Sequence, residues 1–207
     1  VKDLGVLFDS SLSFKNHYLT VITKAFKLWG FLWRNCKDLS PAVLKILYCS
    51  LVRPHLEYAS SVWYPIYDVD AAALEKVQKK FLRCMEFKLG QQHQKGEYSN
   101  ILTFLNMQTL HTRRLTSDLT FLHGVINSSI DNSAILEKLS FLISPPEIRN
   151  TRSKQIFRIS SFATNLARNH PLRRMMLVVN DLCKHETFNL FDSSKQGFKK
   201  NLRLTLK

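Results

Sequence analysis

The side chains with the clearest potential for chemistry in this sequence are its cations. The 207 residues include 30 Lys and Arg against 16 Asp and Glu, which gives a formal net charge of +14. Such an excess favours a polyanionic partner, with nucleic acid first and an anionic membrane surface second. Two groups of cations recur at helical spacing, each about 200° around its helix from an apolar face. The first stripe is Lys24, Lys27 and Arg34, and the second stripe is Lys76, Lys79, Lys80 and Arg83.

The two stripes predict contacts to a phosphate backbone, and Arg113 and Arg114 are further candidates beside the apolar face of a later helix. Contacts of this kind position a duplex and carry no sequence information. A solvated helix face is the alternative interpretation of each stripe. Aromatic side chains fall mostly at apolar positions, so we expect them to pack in the core and not to stack on bases.

Residues suited to catalysis are sparse. A polymerase or nuclease holds two metal ions with clustered carboxylates, and the closest approach here is Asp68-Val69-Asp70, which helix capping explains better. The seven histidines form no H-E-x-x-H motif, and the four cysteines form no C-x-x-C pair. We therefore expect no catalytic residue, no metal ligand and no cofactor in this chain, and free thiols in a reducing, intracellular compartment.

No segment of the sequence suits a membrane. The most apolar stretch, residues 42–52, contains Lys45 and is far too short to span a bilayer. We therefore expect no membrane partner. Because the first residue is Val and not Met, we also expect a fragment or a processed product.

The stripes need helices to position them, and apolar periodicity predicts three long ones. They cover residues 14–35, 41–63 and about 70–87, with caps at Ser13, Ser40 and Asp70. The middle helix is apolar nearly all round, which predicts burial, and Pro54 should kink or break it. Residues 1–8 form a β-like run in which Gly5 suggests a bulge or a close backbone approach. The predicted core positions are Tyr18, Ile22, Ala25, Trp29 and Leu32 in the first helix, and Leu74, Val77, Phe81 and Met85 in the third.

The second half of the sequence predicts shorter elements. We expect helices near residues 100–105, 109–127, 133–142, 171–182 and 193–202, with caps at Asp131 and Asp192, and an extended ribbon near 155–159. The prediction is a mainly α fold. Residues 1–12 form a short strand remnant, 13–87 a helical bundle, 88–99 a linker, and 100–207 a helical, partly irregular C-terminal region.

Four sequence strings resemble a known family in their order and spacing. They are V-K-D-L-G-V from Val1, L-S-F-K-N-H from Leu12, S-L-V-R-P-H-L-E-Y-A-S-S-V-W-Y-P from Ser50 and L-E-K-V-Q-K-K-F-L-R from Leu74. Together they resemble the end of the reverse transcriptase domain of jockey-like, LINE-type non-LTR retrotransposons. The later N-D-L from Asn180 and F-D-S-S-K-Q-G-F-K from Phe191 resemble the tail of the same proteins.

The resemblance implies a place in a longer protein encoded by a transposable element. Leu4 and Gly5 match the strand at the end of the palm, beside the primer grip, and the following helices match the thumb. The catalytic aspartate pair of that RNA-directed DNA polymerase lies upstream, so we expect no enzyme activity from this chain by itself. The implied partners are template–primer duplex or RNA–DNA hybrid and the upstream polymerase, which uses Mg²⁺. The implied location is the nucleus.

Two other interpretations stay open. The chain could be a basic helical module that docks an acidic protein, or a decayed element fragment without a present function.

Overall fold

Helices make up most of the described chain, so the predicted mainly α fold is confirmed. The computed structural model describes residues 1–90, 97–142, 155–161, 170–184, 188–191 and 194–205. The chain divides into two compact units, Val1–Arg114 and Leu115–Lys207. The division falls inside a helix and not in the predicted linker, because Tyr98 and Ile101, which lie close to that linker, pack into the first core.

A β-hairpin begins the first unit. Strands β1 (Lys2–Asp3) and β2 (Val6–Leu7) pair antiparallel. Leu4 and Gly5 connect them with φ angles of 42° and 88°, and a two-residue type I′ loop requires positive φ at both central positions. The predicted β-like run is therefore a hairpin, and Gly5 lies in its turn and not in a bulge. Gly5 turns the chain, since a residue without Cβ adopts positive φ at little cost.

Helix α1 (Lys15–Cys36) begins after a loop that the side chain of Asp9 holds together. The carboxylate of Asp9 accepts the backbone N–H groups of Ser13 and Phe14, both at 2.8 Å, whereas the hydroxyl of Ser13, the predicted cap, lies 3.5 Å from the N–H of Lys15. These hydrogen bonds, led by the one from Ser13, lower the pKa of Asp9 to about 2. The position before the helix belongs to Phe14, which has a φ of 56° and no side-chain cap bond.

The predicted second helix is divided into four parts. They are α2 (Pro41–Leu47), a π turn (Tyr48–Val52), α3 (Arg53–Glu57) and α4 (Ser60–Trp63). The π turn ends at Val52, two residues before Pro54. In a regular α-helix the ring of a proline clashes with the carbonyl four residues earlier, and its nitrogen donates no hydrogen bond. A wider turn accommodates both effects. Ala59, with a φ of 52°, separates α3 from α4.

Burial in this segment is one-sided. Leu44 and Leu56 are fully buried. Val43, Leu51 and Val62 are 39%, 44% and 46% exposed, so the prediction of burial all round is wrong. The cap at Ser40 is confirmed, since its hydroxyl accepts the N–H of Val43 at 3.4 Å.

Helix α5 (Asp68–Lys88) packs on α1 and on the π turn. The rings of Tyr48 and Phe81 stack with centroids 4.1 Å apart. Trp29 of α1 meets both rings edge-on, at 6.1 and 5.2 Å. The predicted core positions of α5 are all fully buried, which confirms its apolar face; they are Leu74, Val77, Phe81 and Met85.

The start of α5 corrects one predicted cap. Asp70 lies inside the first turn together with Asp68, and the position before the helix is Tyr67, without a side-chain cap bond. Carboxylates in a first turn still stabilise the helix, because they face the positive end of its dipole.

Helices α6 (Ser99–Phe104) and α7 (Leu110–Ile126) have the predicted positions within two residues. Gln78 of α5 fixes the chain between them. It is 1% exposed, accepts the hydroxyl of Tyr48 at 3.3 Å and donates to the carbonyl of Gln108 at 2.9 Å. Both ends of a buried amide are therefore satisfied, as burial requires.

The second unit has its own core. Helices α8 (Ser133–Leu136), α9 (Pro171–Leu182) and α10 (Lys195–Thr205) follow α7. α9 has its predicted bounds, whereas α8 is shorter than predicted and is capped by Asn132, whose side chain accepts the N–H of Ile135, and not by Asp131. The predicted cap Asp192 lies outside the described residues. The buried core of this unit includes Leu119, Leu122, Phe157, Met175, Val179 and Phe198.

An extended segment crosses this unit near the predicted ribbon. Phe157 forms an antiparallel bridge with Phe141. Asn180 of α9 holds the segment, because its side-chain oxygen accepts the N–H groups of Ile156 and Phe157 at 3.0 and 2.9 Å. Its amide nitrogen donates to the carbonyl of Phe157 at 2.8 Å. Across the described parts of both units, no helix is long and apolar enough to cross a membrane.

Candidate nucleic-acid interface

We call the first group of cations the α1 stripe and the second the α5 stripe, after the helices on which they lie. The α1 stripe faces away from the core. Lys24, Lys27 and Arg34 are all exposed. Trp29 and Ala25, on the opposite side of the helix, are 2% and 0% exposed. The 22 residues of α1 include no Asp and no Glu. The stripe therefore presents cations to solvent without an acid of its own helix to offset them.

The α5 stripe has the same arrangement. Its cations, which are all exposed, are Lys76, Lys79, Lys80 and Arg83. The acids of α5 lie elsewhere: two are in the first turn, Glu86 is 6% exposed, and Glu75 accepts the backbone N–H of His111 at 2.7 Å. α1 and α5 pack through Trp29 and Phe81, so neither stripe takes part in the contact between the helices.

Tyr98 engages half of the α5 stripe. Its hydroxyl accepts a hydrogen bond from Nε of Arg83 at 2.9 Å. The ammonium of Lys79 lies 5.5 Å from the centroid of the same ring, within the range of a cation–π interaction. These contacts orient two cations, and the guanidinium of Arg83 keeps further N–H groups for an anion.

Arg113 lies beside the core and not on a stripe. Its guanidinium forms a two-pronged ion pair with Glu57, through Nε to Oε1 and through Nη2 to Oε2 at 2.9 Å. The hydrogen bond that Arg113 donates to the carboxylate of Glu57 raises the pKa of Arg113. A phosphate would have to compete with this carboxylate, so the structure gives Arg113 a structural contact that the sequence did not predict.

Arg114 is inaccessible, which corrects its selection as a phosphate contact. The residue is 1% exposed. Its Nη2 lies 3.7 Å from Oε1 of Glu75, and its guanidinium carbon lies 6.0 Å from the centroid of Tyr64. Its position beside an apolar stripe could not reveal this, because Glu75 is far away in the sequence.

The hairpin places Leu4 and Gly5 at an exposed turn. Leu4 is 83% exposed, and its carbonyl accepts the hydroxyl of Tyr58 at 3.0 Å. The Tyr58 ring lies beside Gly5, where an added Cβ would meet its Cε1 at 3.6 Å. The backbone N–H of Leu7 donates to Nδ1 of His17 at 3.3 Å. The hairpin is thus fixed to α1 and to the residue that follows α3.

A pocket of about 320 Å³, which we call the hairpin pocket, lies between these elements. Lys24 of the α1 stripe lines it, together with residues that sequence reasoning did not select; the main ones are Lys2, His17, His55 and Tyr58. His17 lies in the second and His55 and Tyr58 in the third of the sequence strings described above. Burial lowers the pKa of both histidines, and for His55 the charge of Lys24 lowers it further.

The second unit adds a cationic helix that the sequence analysis did not count. α10 buries Phe198 and Leu202 and exposes Lys195 and Lys200. The sequence of α10 contains no Asp and no Glu. The same pairing of an apolar and a cationic face could have been recognised from the sequence.

The described residues include no group of three or more His, Cys, Asp or Glu side chains that could hold a metal ion. All four cysteines are free thiols. No protein-family model, no curated protein and no solved structure matches the chain. The reverse transcriptase resemblance therefore stays a prediction from the sequence strings that carry it.

Proposed function

We propose that this chain holds nucleic acid through its phosphate backbone. The observation that carries the proposal is the pair of acid-poor cationic stripes on α1 and α5, each opposite a buried apolar face of its helix. A helix whose core side is fixed in this way keeps its cations in a constant arrangement. Each Lys or Arg that neutralises a phosphate releases a condensed counterion, which drives binding of any sequence.

The larger proposal is that the chain is part of a LINE-type RNA-directed DNA polymerase. It is supported by the four sequence strings and by the position of Leu4 and Gly5 at an exposed hairpin turn that precedes a helical bundle. Under this proposal the first unit acts as a thumb, and the rest of the polymerase supplies the catalytic aspartates and Mg²⁺. The chain alone then extends no primer, and its place of action is the nucleus.

Backbone contact suits this task physically. A polymerase thumb must hold every sequence while the duplex slides past it, and phosphate contacts position a duplex without reading its bases. Double-stranded RNA and hybrids are recognised mostly by shape, phosphates and 2′-hydroxyls. Lys76 and Lys80 are exposed one helical turn apart, a spacing that lets them approach one strand together.

The test is a salt titration of binding to unrelated duplexes and hybrids. Replacing Lys76 and Lys80 with Ala should lower affinity equally on every sequence and shallow the slope of log K against log salt by about two units. The matched control replaces Lys15 and Lys37, two exposed cations of the same unit outside both stripes. If the control changes the slope as much as the stripe variant, net charge and not the α5 stripe governs binding.

A second candidate function is docking of an acidic protein. The observation that favours it is the exposed apolar side of α2 and the π turn, where Ile46 is 63% and Leu51 44% exposed. Interfaces combine such side chains with a polar rim. In this case, duplex binding would be weak, and replacing Ile46 with Asp would abolish association with the acidic partner.

A further inference from the structure

The hairpin pocket has the size of a small-molecule site. Its volume of about 320 Å³ lies at the lower end of the roughly 300–1,000 Å³ that such sites occupy. Its walls come from segments far apart in the sequence: Gly5 and Leu7 from the hairpin, Val21 from α1, and Tyr58 after α3. The space is larger than a single inorganic anion needs, so a ligand that fills it must have an additional part.

The lining has two chemically different regions. Leu7, Val21 and the ring of Tyr58 offer an apolar and aromatic wall. Lys2 and Lys24 bring two ammonium groups to the same pocket. A nucleotide has the matching parts, because its base has a flat apolar face that stacks on aromatic rings and its phosphate is anionic.

His17 contributes a buried imidazole to the lining. The residue is 4% exposed, and its Nδ1 accepts the N–H of Leu7. In a neutral imidazole the other nitrogen, Nε2, then carries the proton. Nε2 is closed to solvent, so a ligand in the pocket meets the imidazole ring and not this atom.

We propose that the hairpin pocket binds one unpaired nucleotide, with its base against Tyr58, Leu7 and Val21 and its phosphate beside Lys2 and Lys24. The inference deepens the proposed nucleic-acid function and rests on it for the class of ligand. The stripes hold a backbone of any sequence, and the pocket takes a single nucleotide that has left the base stack. Bases outside a helix are the ones that proteins stack on aromatic side chains.

The histidines of the pocket provide a direct readout. The charge of Lys24 contributes to the lowered pKa of His55, after burial itself. A phosphate beside Lys24 offsets that charge, so ligand binding should raise the pKa of His55. His17, whose imidazole lines the pocket, should change its signals in the same titration.

The experiment titrates the full chain with adenosine monophosphate, adenosine and inorganic phosphate, and follows the imidazole signals of His17 and His55 by NMR. Adenosine monophosphate should shift both residues and bind at least about tenfold more tightly than either part alone. A duplex with a single-stranded overhang should displace it completely, whereas a blunt duplex, which shares only Lys24 with the pocket, should weaken its binding in part. Equal competition by both duplexes, or equal affinity for phosphate and for the nucleotide, would overturn the proposal.

A pair of variants one helical turn apart separates the pocket from the stripe. Lys24 and Lys27 both belong to the α1 stripe, but only Lys24 lines the hairpin pocket. Lys24→Ala should weaken nucleotide binding about tenfold, and Lys27→Ala less than about twofold. Each should shallow the duplex salt slope by about one unit. Equal losses of nucleotide binding in the two variants would refute the pocket, whereas the duplex slopes decide the backbone proposal independently.

A blocking variant tests the same site without removing a charge. Thr20 lines the pocket on the exposed side of α1. Thr20→Trp should abolish binding of adenosine monophosphate and leave the duplex salt slope unchanged. Retained nucleotide binding in a folded Thr20→Trp chain would contradict the assigned position of the ligand.

Discussion

Replacing Phe81 with Ala tests whether the buried face of α5 holds the cationic side in place. Phe81 is 0% exposed and contacts Tyr48 and Trp29, which are themselves 0% and 2% exposed. Phe→Ala changes in a core cost about 3–5 kcal/mol, because burial is lost and a cavity is left. Neighbours this large and this buried can collapse little into the space. We therefore expect a loss of about 4 kcal/mol in the free energy of unfolding.

The helix supplies its own control. Phe87→Ala removes the same side chain from the same helix, but Phe87 is 82% exposed. Its loss should change the free energy of unfolding by less than about 0.5 kcal/mol. If Phe81→Ala leaves too little folded protein, Phe81→Leu gives a smaller loss of about 1–1.5 kcal/mol.

Tryptophan fluorescence makes the measurement specific to the first unit. All three tryptophans, Trp29, Trp33 and Trp63, lie between Val1 and Arg114. Urea titrations that follow this signal report the stability of that unit without a contribution from the second. A loss below about 1 kcal/mol for Phe81→Ala, or equal losses for Phe81→Ala and Phe87→Ala, would refute the packing that positions the α5 stripe.

Three further predictions concern polar contacts. Asp9→Asn should lose stability relative to the parent at pH 5–7, and the difference should vanish as pH falls from about 4 to about 2. The pKa of Asp9 is lower in the folded state than its unfolded value of 3.8, so its contribution to stability is present above pH 3.8 and is lost as the pH falls through the folded-state pKa. A difference in urea midpoints that does not change with pH would contradict this. A double-mutant cycle of Glu57→Gln and Arg113→Ala should give a coupling energy of about 1 kcal/mol, because both side chains are partly exposed. A coupling energy of zero would show that this ion pair does not stabilise the fold. Asn180→Ala should cost about 3 kcal/mol and speed hydrogen exchange at the Phe157 amide, which loses its acceptor; unchanged protection there would contradict the contact.

Helical periodicity predicted the cores of α1 and α5 because it depends only on local geometry. Trp29, Phe81 and Met85 are buried as their spacing required. The predicted cap of α1 was wrong, because the residue before the helix is Phe14, in a left-handed conformation, and not Ser13. Adjacent Ser13 had the usual identity of a cap, and only the loop conformation excluded it.

The candidate site was predictable where it lies on one helix and not where it combines distant segments. The exposed stripes follow from spacing alone. The burial of Arg114 depends on Glu75, and the hairpin pocket joins Lys2 to His55 across more than fifty residues of sequence. No local pattern encodes such contacts, because they arise only when the chain has folded.

The π turn sets the length of chain that this part of the fold can accept. A π turn contains one more residue than the α-helical turn it replaces. Deleting Ser50, whose side chain is exposed, should therefore convert it to a regular α-helical turn, in which the ring of Pro54 meets the carbonyl four residues earlier. His55 and Tyr58 follow this proline closely, so the strain would fall on the lining of the pocket and on the hydrogen bond to the carbonyl of Leu4. Substitutions at position 50 should consequently be tolerated far better than a single deletion there, so natural variation in this segment should change residue identity and conserve residue number.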